Sequence, residues 1–163
     1  MFVLRGGVLA VSLGVVCATA ACKREPGPST SLSYVDACSD AQMGKRISTE
    51  GYLEAPSSTI CKKAACGINF NDNPNTPGTD VRRSMLVVMP VGTGANEMAE
   101  LPKGFGDADV KFHTKKGDVS VGQKVRMSAL VTSVDHGKVP DPKAKEMVVR
   151  PNCELNDPIL EPL

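Results

Sequence analysis

The residues able to do chemistry in this chain are six cysteines, two histidines and scattered carboxylates and lysines. Cys17 and Cys22 stand near the start; Cys38, Cys61, Cys66 and Cys153 lie in the body of the chain. An even set of four in an exported domain predicts two disulfides, for which three pairings are possible. A local Cys61–Cys66 link across a loop leaves Cys38 to join Cys153. The second link closes a large loop and is worth roughly 3–5 kcal/mol in the chain-entropy view. Zinc is the competing chemistry. Cys61 and Cys66 lack a second close pair, however, and neither His113 nor His136 has ligand-like spacing.

Other constellations are weaker. Asp72, Asn75 and Asp80 could offer oxygens to calcium, but without a known loop spacing, and turn chemistry explains the same residues. Asp107 and Asp109 read as solvated loop carboxylates. Both histidines adjoin turn-like sequence, and no Gly-x-Ser-x-Gly nucleophile motif occurs near either. Four residues separate Cys61 from Cys66, so there is no Cys-x-x-Cys redox motif. No metal site, no cofactor and no catalytic residue is expected.

What delivers these residues to their compartment is the N-terminus. Arg5 gives a short positive start, Val8–Ala18 is an apolar stretch, and Thr19, Ala20 and Ala21 are the residues directly before Cys22. This is the layout of a cleaved secretory signal. Its apolar run is interrupted by Gly14 and is shorter than the roughly 20 residues that span a bilayer. The segment Thr19-Ala20-Ala21-Cys22 resembles the bacterial lipobox, in which small residues precede the cysteine that is lipidated. That resemblance implies a signal peptide over 1–21 and lipidation of Cys22. The lipid would be a thioether-linked diacylglyceryl group, with an amide-linked acyl chain such as palmitate. Two chains suffice for stable anchoring, at about 0.8 kcal/mol per buried methylene. Lys23 stands where an Asp would favour inner-membrane retention, so the outer membrane, on its periplasmic side, is the favoured location. Ordinary secretion is the alternative.

Charge and aromatic content limit the partners. Of the 19 Lys and Arg, only Arg5 lies in the signal; 18 remain against 18 Asp and Glu. A balanced domain lacks the field for strong nucleic-acid binding or for a polybasic membrane patch. There is no Trp, and Tyr34, Tyr52, Phe70, Phe105 and Phe112 are the mature aromatics. With the dibasic pairs Lys62-Lys63, Arg82-Arg83 and Lys115-Lys116 they are poor material for a stacking groove. The expected partners are the membrane, through the anchor, and an envelope protein or polymer; nucleic acid is not expected.

The elements follow from local pattern. Residues 22–32, rich in Pro, Gly and Ser, read as a tether. Ser33 starts a two- to three-turn helix with Val35 and Cys38 on one face, stopped at Gly44. Strands are expected near 45–55, 66–71, 84–91, 124–134 and 147–151, with a short helix over 94–101. The unbroken run Met85–Met89 predicts a strand covered on both faces. Gly51 in mid-strand predicts a bulge or sharp bend. Residues 156–163, with two prolines, read as an irregular tail.

Two segments match each other: Gly44-Lys45-Arg46-Ile47-Ser48-Thr49-Glu50-Gly51-Tyr52-Leu53 and Gly122-Gln123-Lys124-Val125-Arg126-Met127-Ser128-Ala129-Leu130-Val131. The second resembles the fourth strand, and the first segment the first strand, of bacterial OB-fold domains of the tRNA-anticodon-binding kind. The resemblance implies an all-β fold over 33–155: a small five-stranded OB-like barrel with short helices, stapled by disulfides. A binding or accessory module of the cell envelope without catalysis is the functional expectation. An unrecognised extracytoplasmic enzyme and a nucleic-acid-binding OB domain are the alternatives.

Overall fold

The computed structural model describes residues 26–55, 59–62, 64–74, 85–136, 138–140, 147–149 and 152–163. Cys22, the signal and the start of the tether lie outside them, as do Lys63, Asn75, Asp80, Arg82 and Arg83.

The chain is mostly β. In order it forms β1 (Thr30–Ser31), a one-turn helix α1 (Tyr34–Ala37), β2 (Arg46–Glu54), β3 (Cys61–Lys62), β4 (Ala65–Asn71) and β5 (Met85–Pro90). There follow β6 (Lys111–Thr114), β7 (Gly117–Ser120), β8 (Lys124–Asp135), β9 (Lys138–Pro140), β10 (Met147–Val149) and β11 (Asn152–Pro162). The main sheet runs β1-β2-β8-β11-β5-β4-β3, and β2 also pairs with β4. The pairing path therefore returns to its start through five strands: β2, β8, β11, β5 and β4. All those pairings are antiparallel except β5 with β11. Two hairpins, β6–β7 and β9–β10, stand apart from the sheet.

The internal match explains how β2 and β8 meet. The two segments pair antiparallel with Thr49 opposite Met127, the positions that the match superposes. Gly51 then faces Val125, and Ala129 faces Ile47, so each small residue meets a β-branched one. Gly44 and Gly122, which open the two segments, both have positive φ, +73° and +80°, where a side chain would be strained. Gly51 permits the bend at which β2 leaves β8 for β4: a Cβ there would stand 2.4 Å from the Asn71 carbonyl and 2.7 Å from the Phe70 ring.

One core fills the interior. Ile47, Leu53, Ile68, Phe70, Val87, Met89, Val125, Met127, Val131 and Leu155 are buried at alternate positions along their strands, the period-two pattern of a sheet with one inner face. Met98, Val110, Phe112 and Val119 extend it beneath the β6–β7 hairpin. Two disulfides brace it. Cys38–Cys153 ties the residue after α1 to β11 across a separation of 115, and Cys61–Cys66 joins register partners of β3 and β4. In the chain-entropy view the long link is worth about 5 kcal/mol and the short one about 2 kcal/mol.

Several expectations are corrected. The tail is not irregular: residues 156–162 are the second half of β11, paired with β8 from Asn156↔Leu130 to Pro162↔Val125. The strand is interrupted at Asp157, where φ is +51° and the register slips, so its prolines sit in or beyond a bulge. Of the strand expected at 147–151, residues 150 and 151 lie outside the described residues and Met147–Val149 pair with β9; among the described residues it is β11 that closes the pairing path. Residues 94–101 form turns: Glu97 accepts the Gly94 N–H at 2.7 Å, and Met98 bridges Val91 and Phe112. The leading helix lasts one turn before a 3-10 turn at Asp40–Gln42; Val35 is 72% exposed while Cys38 is buried. The end of the tether is not free, since Thr30 and Ser31 pair in parallel with Ile47 and Ser48. Finally, β5 is buried on one face only, with Leu86 39% exposed.

Candidate functional site

The densest polar arrangement among the described residues is built across three strands. Outward positions of β2, β8 and β11 stand in register, so Glu50 faces Arg126 and Arg126 faces Glu161. Lys124 Nζ and Arg126 Nη2 each donate to a different oxygen of Glu50, both at 2.8 Å. Arg126 Nη1 and Lys116 Nζ reach the two oxygens of Glu161 at 4.0 Å. The hydrogen bond from Lys124, and then that from Arg126, hold the Glu50 carboxyl below the usual carboxylate range. Glu50 in turn holds the Lys124 ammonium above its usual range, first by that hydrogen bond and then by its charge.

Beside this row the segment Pro26–Ser29 runs over the sheet. Together with Ser48, Ser128, Ile159, Arg126 and Glu161 it encloses a groove of about 330 Å³. Ser48 points outward on β2 yet is buried. Row and groove offer paired charges and hydroxyls, which suit hydrogen bonding to a polar surface; none of these groups is a nucleophile held against a base.

A second polar contact locks the bulge. Arg46 donates to the Asp157 carbonyl at 3.0 Å and the Ser128 carbonyl at 3.3 Å, and is paired with the Asp157 carboxylate. The guanidinium is largely buried although Asp157 is exposed, so it acts as a structural clamp on the strained turn of β11.

Both histidines stand beside a carboxylate. His113 Nδ1 lies 2.8 Å from Asp118 Oδ1 across the β6–β7 hairpin, and His136 Nε2 lies 2.9 Å from Asp40 Oδ1. Each pair is two parts of a relay whose third part would be a hydroxyl or thiol on the other ring nitrogen. The hydrogen bonds of the described residues include no such group, and neither histidine lines the groove. Asp109 caps its own turn by accepting the Gly106 N–H at 2.9 Å. Among the described residues no group of three or more His, Cys, Asp or Glu could hold a metal ion. No helix among them is long and apolar enough to cross a membrane.

Of the aromatics considered for stacking, Phe70 and Phe112 are fully buried, and Tyr34 packs on Phe70 while donating to its carbonyl at 2.6 Å. Lys62 is exposed on β3, and Lys115 and Lys116 are exposed at the β6–β7 turn. The Glu50 row and the Arg46 clamp were not singled out from sequence. Their hydrogen-bonded partners lie 74 to 111 residues apart, and only the strand register brings them together.

No family model and no curated protein matches the chain. Among solved structures it is similar to a chain assigned as an aspartyl-tRNA synthetase from Leishmania major Friedlin, with a TM-score of 0.37 and 10% identity. That likeness covers 93% of this chain, which spans 22% of the other's length.

Proposed function

We propose that this protein is a lipid-anchored module of the bacterial cell envelope: a five-stranded OB-like barrel that contacts a protein or polymer partner and performs no catalysis. The observation that carries the proposal is the pair of disulfides in a chain headed by a signal-like segment ending at Cys22. Disulfides persist in oxidising compartments, which supports an extracytoplasmic setting. The OB-like reading draws on the pairing path through β2, β8, β11, β5 and β4, with its one parallel step between β5 and β11. An OB-fold is a five-stranded, partly open Greek-key barrel. The fold does not carry a function with it.

Seven residues lie between Cys22 and Thr30, where the chain is paired to β2. Fully extended, they reach at most about 30 Å, so an anchor at Cys22 holds the domain close to the bilayer. The surfaces offered to a partner are the charged row, its groove and the exposed positions of the segment Phe105–Gly117.

A nucleic-acid ligand is disfavoured by the burial of Phe70 and Phe112, which removes two of the five mature aromatics from any stacking role. Titration of the soluble chain from Lys23 onward, which keeps Pro26–Ser29 and β1, with labelled single-stranded oligonucleotides at physiological salt tests this. No saturable binding is expected; salt-sensitive micromolar binding would replace the proposal with the nucleic-acid reading.

A further inference from the structure

We infer that the Cys61–Cys66 disulfide is a thiol-exchange site, attacked at Cys61 Sγ by the thiolate of an extracytoplasmic dithiol, while Cys38–Cys153 stays closed. The two disulfides differ in access and in the size of the ring they close. Cys38 and Cys153 are both buried. Cys61 is exposed, and its partner Cys66 is buried on the inner face of β4. Exchange requires a thiolate to reach a sulfur, so access selects Cys61. Lys62 follows it directly and is also exposed, and a neighbouring cation favours the thiolate form of a released cysteine.

The surrounding architecture lets the bond open locally. β3 is two residues long, and its register with β4 comprises Cys61↔Cys66 and Lys62↔Ala65, supplemented by the Gly67 N–H to Ile60 carbonyl bond at 3.1 Å. β4 keeps its six register partners on β5 and its three on β2 when β3 leaves. Opening the short ring also frees the unfolded chain far less than opening the link across 115 residues.

The chemistry balances as a two-electron exchange. The incoming thiolate forms a bond to Cys61 Sγ, the S–S bond breaks, and its electron pair leaves on Cys66 Sγ, which takes a proton from water. The second thiol of the dithiol then loses its proton and attacks the sulfur of its own partner. Cys61 is released as a thiolate, the disulfide has been reduced and the dithiol oxidised to a disulfide. This rests on the disulfides and their exposure, not on the lipid anchor.

The test uses the full mature protein, treated briefly with graded dithiothreitol, alkylated and peptide-mapped, with circular dichroism followed in parallel. Cys61 and Cys66 should be alkylated roughly tenfold or more faster than Cys38 and Cys153, with the β signal unchanged. In a second arm, Cys66→Ser leaves Cys61 free to form a mixed disulfide with oxidised glutathione; Cys61→Ser leaves Cys66, which should react roughly tenfold more slowly. Lys62→Glu should slow the reduction of the wild-type pair. Simultaneous opening of both disulfides, earlier opening of Cys38–Cys153, or equal reactivity of the two serine variants would overturn the inference.

Discussion

Gly51 and Thr49, two positions apart on β2, carry opposite expectations. A methyl group at Gly51 would overlap the Asn71 carbonyl, which the β2–β4 pairing fixes, and the buried Phe70 ring. Gly51→Ala should therefore destabilise the fold by about 1–3 kcal/mol, read as a lower urea midpoint. Thr49 is buried on the inner face, and its hydroxyl has no hydrogen-bond partner. Thr49→Val removes an unsatisfied polar atom at constant shape and should stabilise the fold by about 1 kcal/mol, read as a higher urea midpoint. An unchanged or lowered midpoint for Thr49→Val would mean that the hydroxyl is satisfied. The glycine was legible in the sequence, because a residue without a side chain in an alternating strand demands an explanation. The threonine was not: its alternation says that it points inward, but nothing local says whether its hydroxyl finds a partner.

At the scale of elements, the row Glu50–Arg126–Glu161 ties β2, β8 and β11 together on their outer face. The Glu50 carboxyl is held below its ordinary range in the folded state, so its contribution is complete above the unfolded value and is lost as pH falls through the lower folded one. Lys124 is held above its ordinary range, so its contribution is complete below the unfolded value and is lost as pH rises through the higher folded one. Glu50→Gln should thus lower the denaturation midpoint modestly across the neutral range. The gap to wild type should close in acid below the ordinary carboxylate range, and should narrow with salt because the groups are exposed. A gap that persists in acid and high salt would assign Glu50 a packing role instead. Strand patterns place β2, β4 and β8 within a residue or two because alternation of apolar and polar side chains is a local signal, and β5 because an unbroken apolar run ended by proline is one too. They missed β11 because Asp157 and Pro158 break the alternation at a bulge, which reads locally as a turn. Met98 and Leu101 suggested a helix by their spacing, yet Gly92 and Gly94 wrap the Glu97 carboxylate and hold the segment in turns.

At the scale of the molecule, the covalent frame and the pairing path reinforce each other. Cys153 opens β11, and Cys38 precedes β2, so the long disulfide joins the two ends of the sheet path in sequence. The cysteine count points to two links independently of any strand, since parity and export context are properties of the whole chain. The charged row and the groove could not be read that way, since they exist only once three strands share a register and Pro26–Ser29 lies across them. The role proposed for the molecule hangs on Cys22, eight residues before the first paired strand. Mass spectrometry of the N-terminal peptide of the mature protein, recovered from the membrane fraction, tests it most directly. The account predicts a chain beginning at Cys22 with a diacylglyceryl thioether, and a Cys22→Ala variant that is unprocessed or soluble. A mature chain bearing an unmodified Cys22, or one that retains residues 1–21, would contradict it.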